Sequence, residues 1–168
     1  MKITFTILIT LIFTILPSKE KVTVNNLQNS SAELSVEKNR NFKSIDEDGA
    51  NFILKLKNTS GSRKSFIIRA TLDSSPCSNE YNSNLSSKEN SNLYMLLEVD
   101  NSQSMSNTES SIQTTLDAEQ TKQFTLTATA PNGTEFNTWG CIKVEAISNK
   151  TISDEIILSV FIPDPSEE

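Results

Sequence analysis

The chemistry available to this chain runs through oxygen and sulfur, because its 168 residues include no His. Asp100, Ser102 and Ser104 place one carboxylate and two hydroxyls at alternate positions. That donor set suits a hard cation such as Mg²⁺. Asp46-Glu47-Asp48-Gly49 clusters three carboxylates, which suits Ca²⁺. The remaining spacing of a calcium loop is absent, and Asp-Gly is also a turn signal. Cys77 and Cys141 form no CxxC pair, so a redox motif and a zinc site are both unsupported. In an exported chain they would form one disulfide, stabilising the fold by about 3–4 kcal/mol in the chain-entropy picture. Serines are plentiful, but there is no GxSxG and no imidazole to act as base. A total of 21 Asp and Glu could supply a glycosidase pair. Acid–base work needs a carboxyl raised by an apolar, concave setting, and nothing in the sequence marks one. We expect no enzyme, no catalytic residue and no cofactor.

Composition narrows the classes further. Hydrophobic residues make up 36% and aromatics 7%, which leaves little for a sugar-stacking platform. Only 4 Gly are present, too few for a Gly-rich phosphate loop. Formal net charge is -6, and the basic residues form no run, so nucleic acid is not an expected partner. Asn-x-Ser/Thr sequons fall at Asn29, Asn58, Asn84, Asn132 and Asn149. A chain this rich in Asn, Ser and Thr generates that many by composition, so they say nothing about glycans.

The N-terminus has the pattern of a targeting segment. Lys2 is followed by an uncharged run, Ile3 to Leu16, which Pro17 and Ser18 end. The run is short for a bilayer span and suits a signal-peptide core. We expect residues 1–19 to be a signal peptide, 20–164 one domain, and 165–168 an acidic tail. The protein is then secreted, periplasmic or at the cell surface, with no membrane insertion after cleavage.

Strand alternation recurs along the rest. Asn51–Lys57 sets Phe52, Leu54 and Leu56 against Lys55 and Lys57. Ser65–Leu72 sets Phe66, Ile68, Ala70 and Leu72 on one face. The Asn58–Ser62 segment between them predicts a hairpin turn. Lys122–Ala130 puts Phe124, Leu126, Ala128 and Ala130 inward. Trp139–Ser148 aligns Ile142, Val144 and Ala146, and Glu155–Ile162 is a last strand. Weaker patterns mark Val22–Leu27, Ala32–Val36, Asn92–Val99 and Ser111–Leu116. Two polar stretches, Ser74–Asn92 and Asn101–Ser110, predict loops, the first linking two sheets. In Asn92–Val99, Tyr94 and Leu96 oppose Leu93, Met95 and Leu97. In the last strand, Ile157 and Phe161 oppose Ile156, Leu158, Val160 and Ile162 after a register shift at Ile156-Ile157. Tyr94, Leu96, Ile157 and Phe161 are therefore the interface candidates.

Leu116–Ser148, with its polar turn, alternating strand and Pro131-Asn132-Gly133 turn, resembles the last strands of bacterial immunoglobulin-like and fibronectin type III-like modules. Asn51–Ala70 is similar to an earlier hairpin of such modules. The resemblance implies a single all-β, immunoglobulin-like or fibronectin-like antiparallel sandwich of about 7–9 strands. It implies a non-catalytic binding or adhesion module, with an unknown protein or surface ligand as partner. The alternative is a structural or assembly subunit of a cell-envelope complex. Trp139-x-Cys141 resembles the late-strand motif of bridged immunoglobulin domains. Here alternation puts Cys141 opposite Ile142, Val144 and Ala146, which predicts a peripheral Cys77–Cys141 bridge on a sheet's outer side, covered by Trp139. Asp100-x-Ser102-x-Ser104 looks like the metal site of von Willebrand A domains. Those are α/β with a parallel sheet, and strand-like sequence follows here, so a surface loop is the expected role.

Overall fold

A computed structural model describes residues 30–73 and 90–166. The expected signal segment, the Val22–Leu27 strand and Cys77 lie outside the described residues. Within them the chain is an all-β sandwich of two five-stranded sheets. The strands are β1 Ala32–Val36, β2 Phe42–Ser44, β3 Ala50–Asn58, β4 Lys64–Leu72, β5 Tyr94–Val99, β6 Ser102–Ser106, β7 Glu109–Leu116, β8 Thr121–Thr129, β9 Thr138–Ser148 and β10 Thr151–Ile162.

The first sheet runs β1-β3-β8-β5-β6 and the second β2-β10-β9-β4-β7. Pairing is antiparallel except between β2 and β10, which run parallel. The β1-β3-β8-β5 run stands where an immunoglobulin sandwich has its A-B-E-D sheet, and β10-β9-β4 where it has G-F-C. No helix among the described residues is long and apolar enough to cross a membrane.

Period-2 alternation builds the core. Phe52, Leu54 and Leu56 of β3 and Phe66, Ile68 and Ala70 of β4 all enter the core between the sheets, each 0–1% exposed. Leu93, Met95 and Leu97 join Leu126, Ile142, Val144, Leu158 and Val160 there, all fully buried. At about 25 cal/mol per Å² this apolar burial is the main stabilising term.

The expected β3–β4 hairpin is not formed. β3 pairs with β1 and β8, while β4 pairs with β7 and β9, so the Thr59–Arg63 connection arches from one sheet to the other. Asn58 explains the crossing. It is 0% exposed, and its Nδ2 donates to the carbonyls of Ser62 (2.8 Å), Leu116 (3.2 Å) and Asp117 (2.9 Å). Its Oδ1 accepts from the Ser60 amide and hydroxyl. The arch is thus tied to the β7–β8 connection, and a tight return beside β3 would leave these carbonyls unpaired.

Asn101–Ser110 is also not a loop. Ser102–Ser106 forms edge strand β6, in register with β5 (Val99 opposite Ser102). Asp100 turns the pair with φ 51. Backbone bonding holds this strand, with one side facing solvent, so it carries no apolar alternation for sequence to reveal. The strand count rises to ten with β6 and the three-residue β2. The irregularity in β10 lies at Ile152/Asp154, not at Ile156-Ile157. There the ladder skips Ser153, and Asp154 Oδ2 beside it accepts the Leu34 amide of β1 at 2.6 Å, joining the two sheets at one side. The ladder then runs unbroken from Asp154 to Ile162.

Candidate functional site: the outer face of the second sheet

Alternation that sends the aliphatics of β4, β9 and β10 inward sends a mixed set outward. On β9 that set is Trp139, Cys141, Lys143, Glu145 and Ile147. Register places Phe161 beside Trp139, Ser159 beside Cys141, Ile157 beside Lys143 and Glu155 beside Glu145. On the other flank Arg69 lies opposite Glu145 and Ile67 opposite Ile147. The outer face therefore has three zones along its strands.

One end is aromatic. The Trp139 ring lies 5.2 Å from Phe42 and 4.8 Å from Phe161, centroid to centroid, with tilted planes. Such offset contacts are favourable beyond burial alone. Phe42, from edge strand β2, remains 39% exposed. The opposite end is aliphatic: Ile67, Ile147 and Ile152 are neighbours by register, with Ile67 and Ile152 exposed.

The centre is charged and closed. Glu145 is 2% exposed. Arg69 donates from Nε (2.8 Å) and Nη2 (2.6 Å) to its Oε2, and Lys143 Nζ lies 3.0 Å from its Oε1. Burial alone would raise the Glu145 carboxyl. Hydrogen bonds and charge from Arg69 and Lys143 outweigh it and hold the group below the usual carboxylate range. Lys143 is raised in return, chiefly by its hydrogen bond and charge interaction with Glu145. A carboxylate locked in its ionised form is the reverse of a general acid.

Cys141 lies on this same face, away from Ile142, Val144 and Ala146, as alternation predicts. It is 1% exposed, and its Sγ is 3.7 Å from the Ser159 hydroxyl. No cysteine among the described residues is free. Trp139 stacks on Phe42 and Phe161.

The interface candidates divide between opposite sides of the molecule. Ile157 and Phe161 belong to the face just described. Tyr94 and Leu96 lie on the outer face of the first sheet, where Leu96 is paired with the exposed Met105 of β6. The residues that complete the aromatic end and the charged centre had weaker signals. Phe42 stands alone between polar neighbours, so β2 has no pattern. The Arg69–Glu145 pair depends on β4–β9 register, which local alternation does not fix.

Asp100, Ser102 and Ser104 are dispersed along a hairpin. Asp100 is engaged by Lys122, Nζ to Oδ2 2.9 Å, and the Ser104 hydroxyl accepts the Ser111 amide at 3.3 Å. No group of three or more His, Cys, Asp or Glu among the described residues could hold a metal ion. Asp46–Gly49 is a turn, with the Gly49 amide donating to the Asp46 carbonyl at 3.1 Å. Gly49 has φ 86, and a Cβ there would lie 2.7 Å from Thr129 Cγ2, so the turn needs glycine. A cleft of about 530 Å³ at one end of the sandwich is lined by Asn90–Asn92, Pro131–Glu135 and Thr138. Its lining is neutral apart from Glu135.

No family model matches the chain, and no curated protein matches it. Solved structures give distant likenesses. The Pseudomonas fluorescens alkylpurine DNA glycosylase AlkC is 9% identical with a TM-score of 0.39; the match covers 79% of this chain and only 31% of that one. AvmM, which catalyses macrocyclization in alchivemycin A biosynthesis, is 5% identical with a TM-score of 0.46, over 79% and 90%. The reeler domain of human F-spondin is 13% identical with a TM-score of 0.37, over 77% and 89%. At these values the likenesses carry no argument about what the chain does.

Proposed function

We propose that this chain is a non-catalytic, extracytoplasmic binding module that docks a protein through the outer face of its second sheet. The observation that carries this is the Phe42–Trp139–Phe161 cluster: the chain's one Trp sits on an outer sheet face, not in the core. The shape of the face supports a macromolecule over a small ligand. Trp139 and Ile147 are on one strand, so the aromatic and aliphatic ends lie about 26 Å apart at about 3.3 Å per residue. Small-molecule sites are concave; this face is a sheet surface. The fitting partner presents apolar groups at both ends and neutral polar groups over the paired charges between them.

Export is part of the reading, and with it a Cys77–Cys141 disulfide. Its support is the buried, non-free state of Cys141 on the outer side. Mass spectrometry of the exported protein under non-reducing conditions should find no free thiol; two free thiols would remove the bridge. For docking, the exported protein is purified from its host as wild type and as Phe42→Ser. A partner retained by the wild type and lost by the variant is the expected result. The same partner held equally by both would contradict docking at this face. A stoichiometric complex that also protects Tyr94, Leu96 and Met105 would favour the envelope-subunit reading, since that apolar patch lies on the other sheet.

A further inference from the structure

The four sheet edges are β1, β2, β6 and β7, and an open edge is a template for another strand. β1 carries Glu33 and has its Leu34 amide taken by Asp154. β2 is three residues long. β6 is engaged from the other sheet, where the Ser110 hydroxyl donates to the Ser104 carbonyl at 2.6 Å. β7 differs: it is eight residues long, and Ile112–Leu116 contains no charge and no Pro.

The phase of its hydrogen bonds follows from its neighbours. The Asp73 amide donates to the Cys141 carbonyl at 2.9 Å, which directs the odd-numbered residues of β4 toward β9 and the even-numbered ones toward β7. Register (Ile68 opposite Ile112) then gives the even-numbered residues of β7 to β4 and turns the odd ones outward. Two observations agree: the Glu109 and Ser111 amides donate to the Ser106 and Ser104 hydroxyls at 3.2 and 3.3 Å. Gln113 and Thr115 face the same way, both exposed, and no group among the described residues bonds their amides.

We propose that β7 pairs with β7 of a second copy, antiparallel, with Thr114 on the two-fold axis. An isologous contact must be self-complementary. In this register Gln113 lies opposite Thr115 of the second copy, and both amides and both carbonyls of each chain are used. The junction is uncharged, so a chain of net charge -6 meets no like charge at its centre. Ile112 and Thr114, each 7% exposed, gain cover. The contact is small beside a stable interface of about 1,200–2,000 Å², so association is reversible. The β7 edge and the outer face of the second sheet are separate surfaces, so either contact can form without the other.

Analytical ultracentrifugation from micromolar to millimolar protein should show a monomer–dimer equilibrium. Hydrogen exchange over the same range should show the Gln113 and Thr115 amides slowing as dimer forms. Gln113→Pro removes an amide that the sandwich itself does not use, and should abolish dimer while keeping the melting temperature. Gln113→Lys with Thr115→Lys, which keeps every backbone amide and sets four cations at the junction, should do the same. The proposal is overturned if the wild type stays monomeric throughout. It is equally overturned if the dimer survives in both variants, or forms while these two amides still exchange fast.

Discussion

Glu145 is the residue whose chemistry the fold most strongly fixes. Replacing it with Gln leaves Arg69 and Lys143 without their anion. Both cations are about one-third exposed, so solvent recovers part of the loss, and we expect destabilisation of about 1–2 kcal/mol. The pH dependence has a definite sign. The folded-state carboxyl lies below its ordinary value of 4.5, so its contribution is present above that value and is lost as pH falls through the lower folded one. Denaturant unfolding at neutral pH and near pH 3 should show the difference between wild type and Glu145→Gln shrinking in acid. A difference unchanged by pH would contradict the ionised, paired carboxylate. Asn58 gives a second test: Asn58→Ala strands buried carbonyls and should cost about 2–3 kcal/mol. A glycan on this buried, fully bonded amide is incompatible with the fold, so peptide mapping of folded, secreted protein from a glycosylating host should find Asn58 unmodified.

Among elements, the strands with one apolar and one polar face were legible in the sequence: β3, β4, β8, β9 and the later half of β10. Their Phe, Leu, Ile and Val recur at every second position because one face is buried. β6 and β2 were not, since an edge strand held by backbone bonds needs no apolar side chain. The β3–β4 arch was misread as a hairpin because turn residues at Asn58–Ser62 serve either geometry. The decision lies with Asn58, through carbonyls distant in sequence. Of the site, Phe161 and the outward Cys141 could be read from alternation, while Phe42 and the Arg69–Glu145 pairing required sheet order and register. The β5–β6 turn carries its own prediction. Asp100 is already neutralised by Lys122, so adding Ca²⁺ or Mg²⁺ should leave the melting temperature unchanged. A rise on adding either ion would restore the Asp100, Ser102 and Ser104 metal set.

At the scale of the molecule, Phe52, Phe66 and Phe124 fill the core, Phe42, Trp139 and Phe161 gather outside it, and Tyr94 and Phe136 stand exposed elsewhere. The outer cluster is the surface that the proposed docking uses, and the proposed bridge at Cys141 lies within the same face. Reducing that bridge should lower stability by about 3–4 kcal/mol, read as a fall in denaturation midpoint under reductant. Docking at this face is tested most directly by a photo-crosslinking amino acid at position 42, compared with position 103 on the outer face of the first sheet, in the exported protein within its host. One discrete crosslinked partner from position 42 and none from position 103 is the expected result. No adduct from position 42, or the same adduct from both positions, would contradict it.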